Sequence, residues 1–354
     1  MLRVTVIGIV GIPACYGGFE SLVENLTLNK GDDTTYSIFC SSKSYIEQLK
    51  EHNKAQLHYL PLKANGVQSI PYDILSLIKS WSLKPDVVLI LGVSGCIFLP
   101  IFKLFSKAKI VTNIDGLEWK RDKWGRWVKR FLKLSESIAV KQSDLVITDN
   151  QAIADYVYEE YGISSETIAY GGDHAIIGTQ IQHEKPQYGY ALGLCRIEPE
   201  NNVEMILEAY SQTSLLIKFV GNWSASQFGR KMKSMYSKFP NIDLLDPIYD
   251  LDELYKLRSG CSLYLHGHSA GGTNPSLVEM MHFGVPIFAF DCNFNRYSTE
   301  EKAAYFDSSQ NLVEMLAITN DIDTLEANGK AMQEVAKKRY TWEIIAQQYE
   351  ATYL

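Results

Sequence analysis

The chain alternates short, continuous apolar runs with stretches whose apolar positions recur every three or four residues. The runs fall at 3–9, 34–40, 56–60, 86–92, 109–114 and 144–148, and the helical stretches between them include 18–29, 69–81 and 126–142. A run such as "PDVVLILGV" has no polar alternation, which suits a parallel strand buried on both faces. After a polar, aperiodic segment at 178–189, the alternation restarts with "YALGLCR", "LLIKFVGN", "NIDLLD", "CSLYLHG" and "VPIFAFD". Two such halves predict an α/β chain of two doubly wound, Rossmann-like domains, 1–177 and 178–339, with the polar segment as the linker about which they close. In such sheets ligands sit beyond the carboxyl ends of the strands, so chemistry is expected in the loops that follow strands.

A length of 354 residues is enough for two cores of ordinary size. No stretch approaches the ~18 uninterrupted apolar residues of a membrane span. The opening "MLRVTVIGIVGIP" reads as a first strand and its turn, too short and too broken by Gly and Pro for a signal peptide. Six cysteines, at 15, 40, 96, 195, 261 and 292, show no CxxC spacing. They read as reduced structural thiols of a cytoplasmic protein. A net charge of −7 weighs against general nucleic-acid binding. Residues 1–175 are balanced in charge, so the deficit falls on the second half. That half would have to hold an anion through local amides and a few placed cations.

Four loops then qualify. In "GIVGIPACYGGFE" (8–20) the GxGxxG spacing is missing, and so is an acidic residue after the second strand, which excludes a dinucleotide-dependent dehydrogenase. What is left is a tight connection or a loop laid against a sugar or phosphate, with Gly17 and Gly18 nearest. Glu20 is either a dipole-favoured surface acid or a site residue. In "NIDGLEWKRDKWGRWVKRFLKLS" (113–135), Asp115 ends a strand, and seven basic residues from Lys120 to Lys133 interleave with Trp119, Trp124, Trp127 and Phe131. That pattern suits an anionic membrane face, with the apolar "CIFLPIFKLF" (96–105) as neighbour. It equally suits an amphipathic helix with its aromatic residues turned inward, and, against the overall acidity, single-stranded nucleic acid. In "GLCRIEPENN", Arg196 offers a guanidinium fork to a diphosphate, or pairs with Glu198 or Glu200. In "LHGHSAGGTNPSLVE" (265–279), His266, Gly271, Gly272, Thr273 and Asn274 precede a helix starting near Pro275, with Glu279 about one turn in. That is an anion site with a hydroxyl acceptor beside it.

These motifs, with "RYTWEIIAQQYEATYL" at the C-terminal end, resemble the retaining glycosyltransferases of family 4 and, among them, the bacterial rhamnosyltransferase group of capsule, O-antigen and cell-wall synthesis. The resemblance implies the GT-B architecture: two Rossmann-like domains facing a cleft, with a last helix (340–354) that crosses back to the N-terminal domain. It implies transfer of L-rhamnose from dTDP-L-rhamnose to a polyprenyl-pyrophosphate-linked saccharide, at the inner face of the bacterial plasma membrane. No metal or cofactor is implied. Arg196 and the 271–274 loop, with His266, Gly17 and Gly18, would hold the donor, Glu279 its nucleotide sugar ring, and Asp115 the reacting sugar. Glu20, Glu118, Trp119, Lys120, Arg121 and Trp124 would face the acceptor or the membrane. The chain departs from the family where a glutamate is usual eight positions before Glu279 (here Gly271), where a lysine is usual five positions after Arg196 (here Asn201), and where a cation is usual before "GIP" (here Val10). A UDP-hexose transferase, a sugar-nucleotide epimerase and a non-catalytic nucleotide-sugar-binding protein stand as alternatives.

Overall fold

The computed structural model describes residues 1–15, 17–114, 116–117, 119, 125–176, 189–317 and 321–354. They divide into two units, Met1–Ala169 with Trp342–Leu354, and Tyr170–Thr341.

The first unit holds strands β1 (Leu2–Ile7), β2 (Thr34–Ser41), β3 (Glu51–His52), β4 (Ala55–Leu60), β5 (Val87–Leu91), β6 (Lys109–Asn113), β7 (Leu145–Thr148) and β8 (Glu166–Thr167). Its helices are α1 (Gly18–Leu28), α2 (Ser69–Leu83), α3 (Leu99–Phe105), α4 (Arg126–Gln142) and α5 (Gln151–Tyr161). The sheet runs in the order β3-β4-β2-β1-β5-β6-β7-β8, and its order reverses between β1 and β5. Every pairing is parallel except β3–β4. The absence of alternation in "VVLIL" follows, since all five of its residues are buried. The run at 56–60 is β4, whereas β3, two residues with no apolar run, escapes a pattern search. Their hairpin turns through Asn53 and Lys54, both at positive φ.

The second unit holds β9 (Ala191–Leu194), β10 (Ile217–Val220), β11 (Ile242–Leu245), β12 (Leu263–His266), β13 (Ile287–Phe290) and β14 (Ala304–Phe306). Between them lie α6 (Val203–Ser211), α7 (Gln227–Tyr236), α8 (Leu251–Ser259), α9 (Pro275–His282), α10 (Asn293–Ser298), α11 (Ser309–Ala317) and α12 (Ile322–Arg339). The all-parallel order β11-β10-β9-β12-β13-β14 reverses between β9 and β12. Phe219, Trp223, Tyr210, Leu207 and Phe306 fill one core of this unit. The Gly172 amide donates to the Tyr340 carbonyl at 2.8 Å, so the unit takes in residues 170–176, which the sequence alone leaves with the first half.

The last helix, α13 (Trp342–Tyr353), belongs to the first unit. Trp342, Ile345, Ala346, Tyr349 and Tyr353 recur at helical spacing and form its buried face. The Asn113 Nδ2 donates to the Tyr349 hydroxyl at 2.7 Å, and the Tyr353 and Tyr36 hydroxyls lie 3.2 Å apart. A helix more than three hundred residues from β2 thus closes the first unit's core. Ile345 is fully buried, so Ile345→Ala is expected to destabilise the unit by about 2–5 kcal/mol. Urea unfolding checks this; an unchanged midpoint would mean that α13 is not docked.

Candidate functional site

In the second unit the chain order places the loops after β9 and β12 side by side, where the sheet reverses. They are stitched together. Asn202, held at a left-handed φ of 48°, donates from Nδ2 to the Gly267 carbonyl at 2.9 Å. The Ser269 amide and hydroxyl both donate to the Glu200 carbonyl, at 3.0 and 2.8 Å. Gly267 is needed for this approach, because a Cβ there would lie 2.1 Å from the Asn201 carbonyl oxygen. Asn201, at the position where the resembled family usually has a lysine, is buried and donates to the Arg196 carbonyl at 2.7 Å. It shapes the loop that carries Arg196.

Arg196 itself is 60% exposed and only 3.7 Å from Glu198, a loose surface pair that leaves the guanidinium fork open. Downstream, Gly271 adopts φ +111° with nothing within 4 Å of a would-be Cβ. Its neighbour Gly272 is half-buried and Thr273 is buried. Asn274 caps α9, its Oδ1 accepting from the Ser276 amide at 3.0 Å and the Ser276 hydroxyl at 2.7 Å, with Pro275 in the first helical turn. His266, at the end of β12, is buried, and neither ring nitrogen has a partner among the described residues. Its ring stacks on His268 with centroids 4.5 Å apart. Burial, and then the nearby His268, hold its pKa well below the usual histidine range, so the imidazole is neutral.

Glu279 is set more firmly than its sequence suggests. Its Oε2 is ion-paired to Arg258 on α8, and its Oε1 lies 3.2 Å from His174 Nε2. Burial alone would raise the carboxyl; the His174 hydrogen bond and the Arg258 and His174 charges outweigh it and hold the group below its ordinary 4.5. Sequence reasoning missed both partners. Arg258 reads as an ordinary last-turn cation in "LDELYKLRSG". His174 follows a glycine pair in "YGGDHA", a signal of the kind that marks the other loops.

In the first unit residues 8–15 and Gly17 are tied down by carboxylates of α1. Glu20, far from being a surface acid, is buried; its Oε1 accepts from the Val10 amide at 2.7 Å and its Oε2 from the Gly17 amide at 2.9 Å. One turn on, Glu24 Oε2 accepts from the Ala14 amide at 3.1 Å. Tyr45 and Tyr72 hydroxyls donate to the Pro13 and Ile9 carbonyls. The Gly17 N–H is therefore turned onto Glu20, and Gly18 starts α1. Trp119 is half-buried, its Nε1 donating to Glu136 Oε2 at 3.0 Å. Buried Glu136 also accepts from the Tyr156 and Tyr161 hydroxyls, each at 2.7 Å. Lys133 Nζ stands 4.8 Å from the ring centroids of Trp119, Tyr156 and Tyr161 and 3.0 Å from Glu160. Asp115, Glu118, Lys120, Arg121 and Trp124 lie outside the described residues.

Residues 1–173 match a family described as "Domain of unknown function (DUF1972)". No curated protein matches the sequence. Among solved structures, the chain is similar to a sucrose-phosphate synthase from Thermosynechococcus elongatus, at TM-score 0.78 and 14% identity, covering 100% of this chain and 98% of that one. It is similar to Anabaena Alr3699/HepE in complex with UDP, at TM-score 0.77 and 14% identity, with 99% of each chain covered. A glycosyltransferase from Rickettsia africae gives TM-score 0.75 and 12% identity, over 99% of this chain and 97% of that one. The fold is that of these GT-B proteins: two Rossmann-like units, each on its own parallel sheet.

Arg258 is buried and Glu279 nearly so, with 8% and 14% of the side chains exposed. Glu279→Gln strands Arg258 and is expected to cost about 3–5 kcal/mol near neutral pH, part of it recovered by adding Arg258→Met. A carboxylate with a lowered folded pKa contributes stability above the ordinary carboxylate range and loses it as pH falls through the lowered value. Wild type and Glu279→Gln should therefore converge in acid. Urea midpoints across pH check this, and a gap that persists in acid would show that the charge is not what stabilises the site.

Proposed function

We propose that the chain is a retaining glycosyltransferase that moves L-rhamnose from dTDP-L-rhamnose onto a hydroxyl of a polyprenyl-pyrophosphate-linked saccharide in bacterial surface polysaccharide synthesis. The observation that carries this reading is the pair of stitched loops at the second sheet's reversal. It sets an open guanidinium, Arg196, on the loop after β9, and the Asn274-capped start of α9 closes the loop after the neighbouring β12. A diphosphate needs a forked cation and main-chain amides; the first amides of α9 are spent on Asn274, so the amides proposed for it are those of the 271–274 loop that precedes the helix. As the bond from the sugar's anomeric carbon to the diphosphate oxygen breaks, these groups stabilise the charge on the leaving diphosphate. The new bond to the acceptor oxygen forms on the same face, and the acceptor's proton passes to the leaving diphosphate. Glu279, fixed as a carboxylate, accepts from a sugar hydroxyl of the nucleotide, with lone pairs to spare beyond Arg258 and His174. Neutral His266 offers one donor and one acceptor to an uncharged hydroxyl. Asp115 is assigned a polar contact at the reacting sugar.

The donor sugar rests on Gly271, which offers no carboxylate where the family of resemblance usually has one. A second reading, a UDP-hexose donor, is favoured by the similarity to Alr3699/HepE, whose complexes contain UDP-glucose and UDP with glucose. The membrane side is supported by α3 and α4, which pack together. Leu104, Phe105 and Trp127 stand 71–77% exposed on them, and Arg126 and Arg130 flank the Trp127 ring. Among the described residues no helix is long and apolar enough to cross a membrane.

Incubation with dTDP-L-rhamnose and UDP-glucose, with and without a lipid-linked saccharide, tests the reading. Acceptor-dependent dTDP release is expected, lowered about a hundredfold by Arg196→Met. UDP release would transfer the assignment to the second reading, and release from no nucleotide sugar would sink both. For the membrane side, Phe105→Ser with Trp127→Ser should weaken sedimentation with anionic vesicles severalfold; unchanged sedimentation retires that face.

A further inference from the structure

Along α4, Arg126, Lys129, Arg130 and Lys133 recur at the spacing that puts them on one face, a stripe about 10 Å long. Together with Trp119 they line a cavity of about 530 Å³, within the range of small-molecule sites. The four cations are not equivalent. Lys133 is already taken, held by Glu160, Glu136 and the three rings around it. Arg126 and Arg130 have no carboxylate partner among the described residues, and both guanidinium groups lie over the Trp127 ring, 5.9 and 5.3 Å from its centroid. The cavity therefore presents two guanidinium forks without a carboxylate partner among the described residues, with the Trp119 indole in its lining and no acidic residue among those described there. The Trp119 indole is itself fixed, through Nε1, to the buried Glu136.

We infer that this cavity binds a diphosphate ester, its two phosphates on Arg126 and Arg130 and its organic group against Trp119. Forked guanidinium groups spaced one helical turn apart suit two linked phosphates. A single inorganic phosphate would engage one guanidinium fork and leave the other unpaired, and a nucleic acid strand would meet the chain's net charge of −7. The inference deepens the acceptor side of the proposed function and rests on it for the choice of a diphosphate over another bis-anion. The source of that diphosphate is either a membrane-borne lipid or a soluble metabolite.

The test uses the full chain and two probes, farnesyl diphosphate and inorganic diphosphate, titrated calorimetrically. Farnesyl diphosphate is expected to bind, and Arg126→Gln with Arg130→Gln to weaken it about a hundredfold, about tenfold for each charge-assisted hydrogen bond removed. Both arginines are exposed, so the variant should fold as the wild type does, which circular dichroism verifies. Binding of farnesyl diphosphate well above inorganic diphosphate identifies a lipid source; equal binding identifies a soluble one, and either sustains the site. No binding of either probe, or binding that the double variant leaves unchanged, overturns it. Titration of UDP and dTDP into the same variant separates the two proposals, because the donor residues of the second unit are untouched. Abolished probe binding with intact nucleotide binding isolates the α4 site, and nucleotide binding absent from wild type counts against the donor reading alone.

Discussion

A carboxylate removed from water must collect donors, and three glutamates of this chain organise their surroundings by doing so. Glu20 takes two loop amides, Glu136 takes an indole and two phenols, and Glu279 takes an arginine and a histidine. In each case the donors come from segments that are remote from the glutamate or have no regular structure of their own. An unpaired carboxylate in these positions would be costly. The segment carrying the donors is therefore held in the one arrangement that supplies them. Loops that follow parallel strands have no ladder to fix them, and after β1 and β6 the buried carboxylates Glu20 and Glu136 do that task.

The two sheets use the device differently. In the first unit the carboxylates of α1 draw the amides of Val10, Ala14 and Gly17 inward, so that these positions are braced and the Gly17 N–H is not offered to a ligand. In the second unit the loop pair is braced by its own main chain and by Asn201, Asn202 and Ser269. That leaves Arg196 uncommitted, and His266 without a partner for either ring nitrogen among the described residues. Preorganised groups of this kind stabilise developing charge without having to reorient.

Much of this is legible in the residues alone. Continuous apolar runs give the parallel strands, and the interval from 126 to 142 is the helix its spacing predicts. The loop after β9 stands out through Arg196, and the loop after β12 through its glycines and short polar residues. What stays hidden has a common physical character. Arg258 and His174 meet Glu279 only through tertiary packing, and a last-turn arginine looks the same whether it faces solvent or a buried acid. Glu20 lies at the one position where a dipole-favoured surface acid and a loop brace have the same sequence signature. β4 shows as the run at 56–60, but β3, its hairpin partner, is invisible because it has two residues and no apolar pattern. Trp119 and its cage need Tyr156 and Tyr161, contributed by the next helix.

Gly271 also bears on how this sequence can drift. Its φ of +111° is one that side-chain-bearing residues rarely adopt, although the space around it is open. A mutation to glutamate would have room but not the backbone, and the loop would have to re-form before the new carboxylate could reach a ligand. Acquiring the residue usual in the resembled family therefore passes through a less stable intermediate sequence. Substitutions at the neighbouring loop positions would have to come first, which makes the order of mutations, and not only their sum, decide whether this chain's ligand preference can change.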